Sequence, residues 1–155
     1  MMSEPIKRHE ALQPLSREHH QGLLLAMKVG KGLKKGVALN RIKKYVDWFF
    51  SHYLKSHFEA EEKYAFPILD DDHPGVQQAL EEHRKIEAFV KSPMHGIQEE
   101  QLIEFKQLLE GHIRLEERQL FNEIQEKATA EELQKLEEVL NEADFCLTWS
   151  DEFWK

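Results

Sequence analysis

The chain has 155 residues, 41% hydrophobic and 32% charged, enough to bury one core beneath long solvated faces. A net charge of −8 leaves no basic surplus to neutralise phosphates, which argues against a nucleic-acid partner. With one cysteine (Cys146), no apolar run longer than residues 23–27 and a charged start, an internal disulfide, a Cys-based metal site, a membrane span and a secretory signal are not expected, which leaves one cytoplasmic domain over residues 1–155.

Residues 1–12 read as an irregular lead-in. Pro14 suits a first helical turn and Ser16 a cap, and Leu12, Leu15, His19, Leu23, Ala26, Gly30 and Leu33 recur at helical spacing until Gly36 closes the helix. Lys34 and Lys35 read as solvated positive charge at its negative end. A second, long helix starts near Asn40, with Val46, Phe49, Phe50, Tyr53, His57, Glu61, Tyr64, Ala65 and Ile68 on one stripe. Pro67 distorts or ends it, and Asp70-Asp71-Asp72 makes a polar turn. The third helix begins at Pro74, carries Val76, Ala79, Leu80, His83, Ile86 and Val90 on one face, and stops at Ser92-Pro93. The fourth runs from about Glu99 to Lys127, with Leu102, Phe105, Leu108, Leu109, His112, Glu116, Leu120 and Ile124 inward. Thr129 with Glu132 reads as a capping box for a fifth, shorter helix from Ala130 to about Asn141. The tail holds Phe145, Trp149, Phe153 and Trp154, expected to lie across the bundle or a partner subunit, so a homodimer is open. Strand and hairpin signals are absent. The fold expected is all-α: an up-and-down four-helix bundle over about residues 12–127, with a short fifth helix and an aromatic C-terminal tail over 128–155.

One phrase occurs twice. His57-Phe58-Glu59-Ala60-Glu61-Glu62 leads to Phe66, and His112-Ile113-Arg114-Leu115-Glu116-Glu117 leads to Phe121 in the same register. Residues four apart share a helix face about one turn apart, so His57 with Glu61, and His112 with Glu116, can each grip an ion. Each phrase is preceded on an earlier helix by Glu-His, at Glu18-His19 and Glu82-His83. In a folded bundle the middles of the four stripes meet, and so many polar groups among Leu and Phe need a common partner. A metal ion is that partner; a satisfied polar network is the bland alternative. Imidazole plus carboxylate suits iron, manganese or zinc, and the lack of thiolates disfavours copper(I). Each half supplies a similar ligand set, which fits two metals better than one.

His19 and His20 are adjacent and about 100° apart on a helix, so one of them is expected to ligate. His19 fits the stripe at both ends, whereas His20 sits over Leu24 and Met27. His52 reads as surface or as support for a ligand, and His9, His73 and His95 as solvated. Glu62 and Glu117 are expected to be exposed, because they leave the face of Glu61 and Glu116.

The order His, His-x-x-x-Glu, His, His-x-x-x-Glu on four helices resembles the hemerythrin-like HHE cation-binding domains, as do the stretches Ser16-Arg17-Glu18-His19-His20, 57–62 and 112–118. The resemblance spans roughly residues 12 to 127 and implies a bundle around a carboxylate-bridged pair of non-haem irons that meets O2, NO or stored iron. It implies His57, His83, His112 and one of His19 or His20 as terminal ligands, with Glu61 and Glu116 as bridges. The oxygen-carrying members have His-x-x-x-His on the third helix, where this chain has Glu87 four after His83. They place an Asp five after the His of the fourth helix, where this chain has Glu116 at four and Glu117 at five. Extra carboxylate favours the ferric state, which puts reversible oxygen carriage in doubt and favours sensing, iron handling or redox chemistry. Glu87 is either a further ligand or a surface residue. A redox enzyme (oxidase, peroxide or NO reduction, cluster repair) and a metal-free interaction bundle are the alternative functions.

Overall fold

A computed structural model of the chain describes residues 7–140 and 148–155. Among these residues all regular structure is helical and no strand occurs. Helix α1, Gln13–Lys34, follows a short 3-10 turn, Glu10–Leu12, with Pro14 in its first turn. It ends in a Schellman motif: Gly36 takes φ +72°, its N–H donates to Leu33 O, and the Val37 N–H donates to Gly32 O. Helix α2 is one unbroken rod over residues 39–68. Within it, α-helical Leu39–Phe49 and Lys55–Ala60 alternate with π-helical Phe50–Leu54 and Glu61–Ala65, and a 3-10 turn, Phe66–Ile68, closes it around Pro67.

Helix α3, Pro74–Lys91, starts at a cap rather than at a solvated histidine: His73 Nδ1 accepts from the Gly75 N–H at 3.0 Å while its Nε2 meets Glu123 at 3.1 Å. Helix α4 covers residues 99–127, again with a π-helical insert, Glu116–Leu120, between α-helical Glu99–Leu115 and Phe121–Lys127. The capping box expected at Thr129 is present, with Thr129 N–H donating to Glu132 Oε1 at 2.9 Å and Glu132 N–H to Thr129 Oγ1 at 3.1 Å. It opens α5, Ala130–Leu140.

Helix α1 packs along α4, α3 packs along α4, and α5 returns to the turn before α1. The apolar residues form two separate clusters. One joins Leu25, Val29, Ile42, Phe49, Phe58, Ile86, Phe105 and Ile113; the other joins Leu12, Leu15, Phe66, Val76, Leu120, Phe121, Ile124 and Leu136. Every helix of the bundle passes from one cluster to the other, and the polar members of the stripes fall at the crossing. The described part of the tail lies across the first cluster: Phe153 is buried there, and Arg41 holds Asp151 at 2.6 Å. Phe145 and Cys146 fall outside the described residues. Among the described residues no helix is long and apolar enough to cross a membrane.

Candidate metal centre

The layer between the clusters is set by register. His19 lies midway between Leu15 and Leu25 on α1, His83 between Ala79 and Ile86 on α3. His57 and Glu61, and His112 and Glu116, occupy the matching level of α2 and α4. All six side chains are buried, none more than 4% exposed. Two groups of four could hold a cation: His19, His57, Glu61 and Glu116, and Glu61, His83, His112 and Glu116. Within each group one donor atom per residue lies within 4.8 Å of the others, and both glutamates belong to both groups.

The four imidazoles aim Nε2 inward. Nε2 of His19 and of His112 lie 3.0 and 2.9 Å from Glu116 Oε1, and Nε2 of His57 and of His83 lie 3.3 and 3.2 Å from Glu61 Oε1. Closeness does not mean satisfaction. Both carboxylate oxygens of Glu61, Glu116 Oε2, His83 Nε2 and His112 Nε2 are buried without a hydrogen-bond partner among the described residues. Each orphan of this kind costs roughly 1–3 kcal/mol, and several converging on one point are what a cation would satisfy. The donor set, imidazole and carboxylate without thiolate, suits a borderline or hard divalent cation. The residues present therefore fit a metal.

Behind the imidazoles stands a second layer. Nδ1 of His19 meets Glu117 at 2.7 Å, Nδ1 of His83 meets Glu62 at 2.7 Å, and Nδ1 of His112 meets Glu82 at 2.8 Å. His57 Nδ1 faces Glu18 at 3.5 Å, an ion-pair separation too long for a hydrogen bond. Carboxylates so placed fix the tautomer that leaves Nε2 free to ligate. Ser16 Oγ donates to the Glu117 carboxylate at 2.7 Å, and Arg84 pairs with Glu62. Rings close the layer from above and below: Phe121 stacks on His19 at 5.0 Å, and Phe58 and Phe66 stack on His83 at 3.8 and 5.7 Å.

The sequence expectation that Glu62 and Glu117 would be exposed is thus corrected. A π-helical turn begins at the glutamate before each of them, with the Phe66 and Phe121 N–H groups donating back to Glu61 O and Glu116 O. That i→i+5 bonding turns successive residues through less than the α-helical ~100°, so Glu62 and Glu117 stay nearer the inner face. Of the adjacent pair, His19 is inside, whereas His20 is exposed and belongs to neither group. His52 is exposed and bonded to Trp48 O, and Glu87 pairs with Arg84 away from the centre. In the sequence Glu18 and Glu82 stand out only as the first half of each Glu-His; their partners sit on the next helix, and no spacing along the chain reports that.

The charges of these buried groups depend on one another. Burial, and then the neighbouring Glu116, push Glu61 up to about 8. Burial would raise Glu116 as well, but the charge of His112 beside it and the hydrogen bond from His19 hold it well below the usual carboxylate range. Burial would lower His112, yet Glu116 and Glu82 outweigh it and raise it to about 10. His19 and His83 are raised for the same reason, against burial, by Glu116 with Glu117 and by Glu61 with Glu62.

Residues 9–124 match the family model described as the hemerythrin HHE cation binding domain. Comparison with curated proteins and with solved structures gives no match. The matched stretch contains every residue of both groups and most of the chain, and the chain belongs to the hemerythrin HHE cation-binding family.

Proposed function

We propose that the chain binds two non-haem irons bridged by Glu61 and Glu116, and that the loaded centre takes up a small diatomic ligand, O2 or NO. One observation supports this most: the two donor groups share both glutamates and nothing else. A carboxylate has two oxygens, so two shared glutamates give each of two ions two donors, and the two imidazoles of each group bring the number to four. His19 and His57 would be terminal ligands of one iron, His83 and His112 of the other. The mixed donor set suits iron, with manganese or zinc as the competing occupants.

The irons, when bound, supply one-electron redox chemistry and open coordination positions. The chain's own residues do the rest. Glu117, Glu62 and Glu82 hold the Nδ1 protons of His19, His83 and His112 and so keep each ring in its ligating orientation. Phe58, Phe66 and Phe121, stacked on His83 and His19, keep bulk water from the imidazoles. The test is to load the protein with ferrous iron without air and admit O2, then NO in a separate sample. New visible charge-transfer bands that are absent from His57→Ala support the reading; no new band with either gas overturns it.

A further inference from the structure

The three tryptophans of the chain, Trp48, Trp149 and Trp154, all line one cavity of about 280 Å³. It lies between α1, α2 and the C-terminal tail, and shares no residue with the metal centre. Its walls are rings: Trp48 and Trp149 lie 5.2 Å apart, Tyr45 and Trp154 5.2 Å, Tyr45 and Trp48 5.9 Å. Two polar groups in this lining are underused. The indole Nε1 of Trp149 is buried with no acceptor among the described residues. Lys28 Nζ sits 4.2 Å from the Trp154 ring and 3.4 Å from the Tyr45 hydroxyl, with no carboxylate among the described residues at ion-pair distance. The lining carboxylate, Glu152, is taken by Lys155 at 2.6 Å.

We propose that this cavity binds a small planar aromatic carboxylate, its ring against the indole faces that wall the cavity, its carboxylate on Lys28, and an acceptor of the same molecule on the Trp149 N–H. Each element of the ligand answers a feature of the site. Ring faces favour offset stacking of a flat partner. A cationic ligand, the usual guest of an aromatic box, is disfavoured because Lys28 already lies over the Trp154 and Tyr45 rings. The ammonium is partly desolvated, which lowers its pKa against the pull of Glu152, so an anion recovers lost solvation. The volume is at the small end for ligand pockets and admits one or two fused rings.

The iron-loaded, full-length protein is titrated by calorimetry with 2-naphthoate, 2-naphthylmethanol and 2-naphthylmethylammonium. Saturable one-to-one binding of the naphthoate is expected, about tenfold tighter than the alcohol, in line with one charge-assisted hydrogen bond. Lys28→Gln removes that preference, Lys28→Arg keeps it, and Trp149→Phe weakens the naphthoate, all with unchanged iron content. Naphthoate also shifts the intrinsic fluorescence, because every tryptophan borders the cavity. Naphthoate bound no tighter than the alcohol, a preference for the ammonium, or unaltered naphthoate binding by Lys28→Gln overturns the proposal. Loss of gas binding at the metal centre leaves these outcomes unaffected, so the two readings fail separately.

Discussion

Glu117 of α4 and His19 of α1 meet at 2.7 Å through Oε2 and Nδ1, and this contact is one of four that run the same way round the bundle. Glu18 of α1 faces His57 of α2, Glu62 of α2 holds His83 of α3, and Glu82 of α3 holds His112 of α4. Each helix leans a carboxylate on the outer nitrogen of the next helix's imidazole. The orientation of three of the four inward-facing Nε2 atoms therefore rests on a hydrogen bond to a neighbouring helix, and the centre is a property of the assembled bundle rather than of any single helix.

Removing a supporting carboxylate should weaken metal binding without removing a ligand. Glu117→Ala and Glu62→Ala are each expected to lower iron affinity about 10–100-fold, the usual loss for an outer partner of a ligating histidine. Glu18→Ala should cost less, since Glu18 stands 3.5 Å from His57. Competition against a chelator of known affinity measures all three; equal affinity in Glu117→Ala and the unaltered protein contradicts the supporting role.

His19 and His20 separate cleanly. His19→Ala should lose one of the two ions, whereas His20→Ala, altered at an exposed position, should keep both. Elemental analysis of the two variants decides it, and the reverse pattern would mean that α1 is rotated by about one residue from the arrangement described.

Protons and iron compete for the same atoms, and the sign follows from the shifts. His112, raised to about 10, and Glu61, raised to about 8, bind protons more tightly folded than unfolded. Their contribution to the stability of the metal-free protein is fully present below their unfolded values, about 6.5 and 4.5, and is lost as pH rises through the folded ones. Metal-free protein should thus lose melting temperature between about pH 4.5 and 10, while iron, which displaces those protons, binds more tightly over the same window. Melting curves of chelated and loaded protein should diverge as pH rises; convergence is the contrary result.

The described part of the tail, residues 148–155, packs on the bundle. Phe153 is 4% exposed, and a Cβ added to Gly32 would come within 2.8 Å of its ring. Phe153→Ala should cost about 3 kcal/mol, the low end for deleting a buried phenyl group, and leave iron content unchanged. Chemical denaturation followed in parallel with metal analysis checks both halves.

Much of this arrangement could be read in the sequence because it follows a single period. The stripes through His19, His57, His83 and His112 place the six inner residues, and Gly36 and Thr129 mark helix ends by backbone geometry and side-chain capping. What escaped obeys other rules. The π-helical turns at Glu61–Ala65 and Glu116–Leu120 carry no residue-type signature, so a period of 3.6 sent Glu62 and Glu117 to the surface. The pairs Glu82 with His112 and Glu18 with His57 join different helices, and only docking brings them together. His73 stood beside Pro74 in a polar stretch and read as loop, although that position, just before a first-turn proline, is where a cap belongs.

The sharing of Glu61 and Glu116 between two ions is tested most directly by counting them. Metal-free protein is dialysed to equilibrium against ferrous iron without air, and the iron per chain is measured by elemental analysis. Two irons per chain are expected, falling below two in both Glu61→Ala and Glu116→Ala; a single iron in the unaltered protein, or two irons retained in either variant, contradicts a doubly bridged pair.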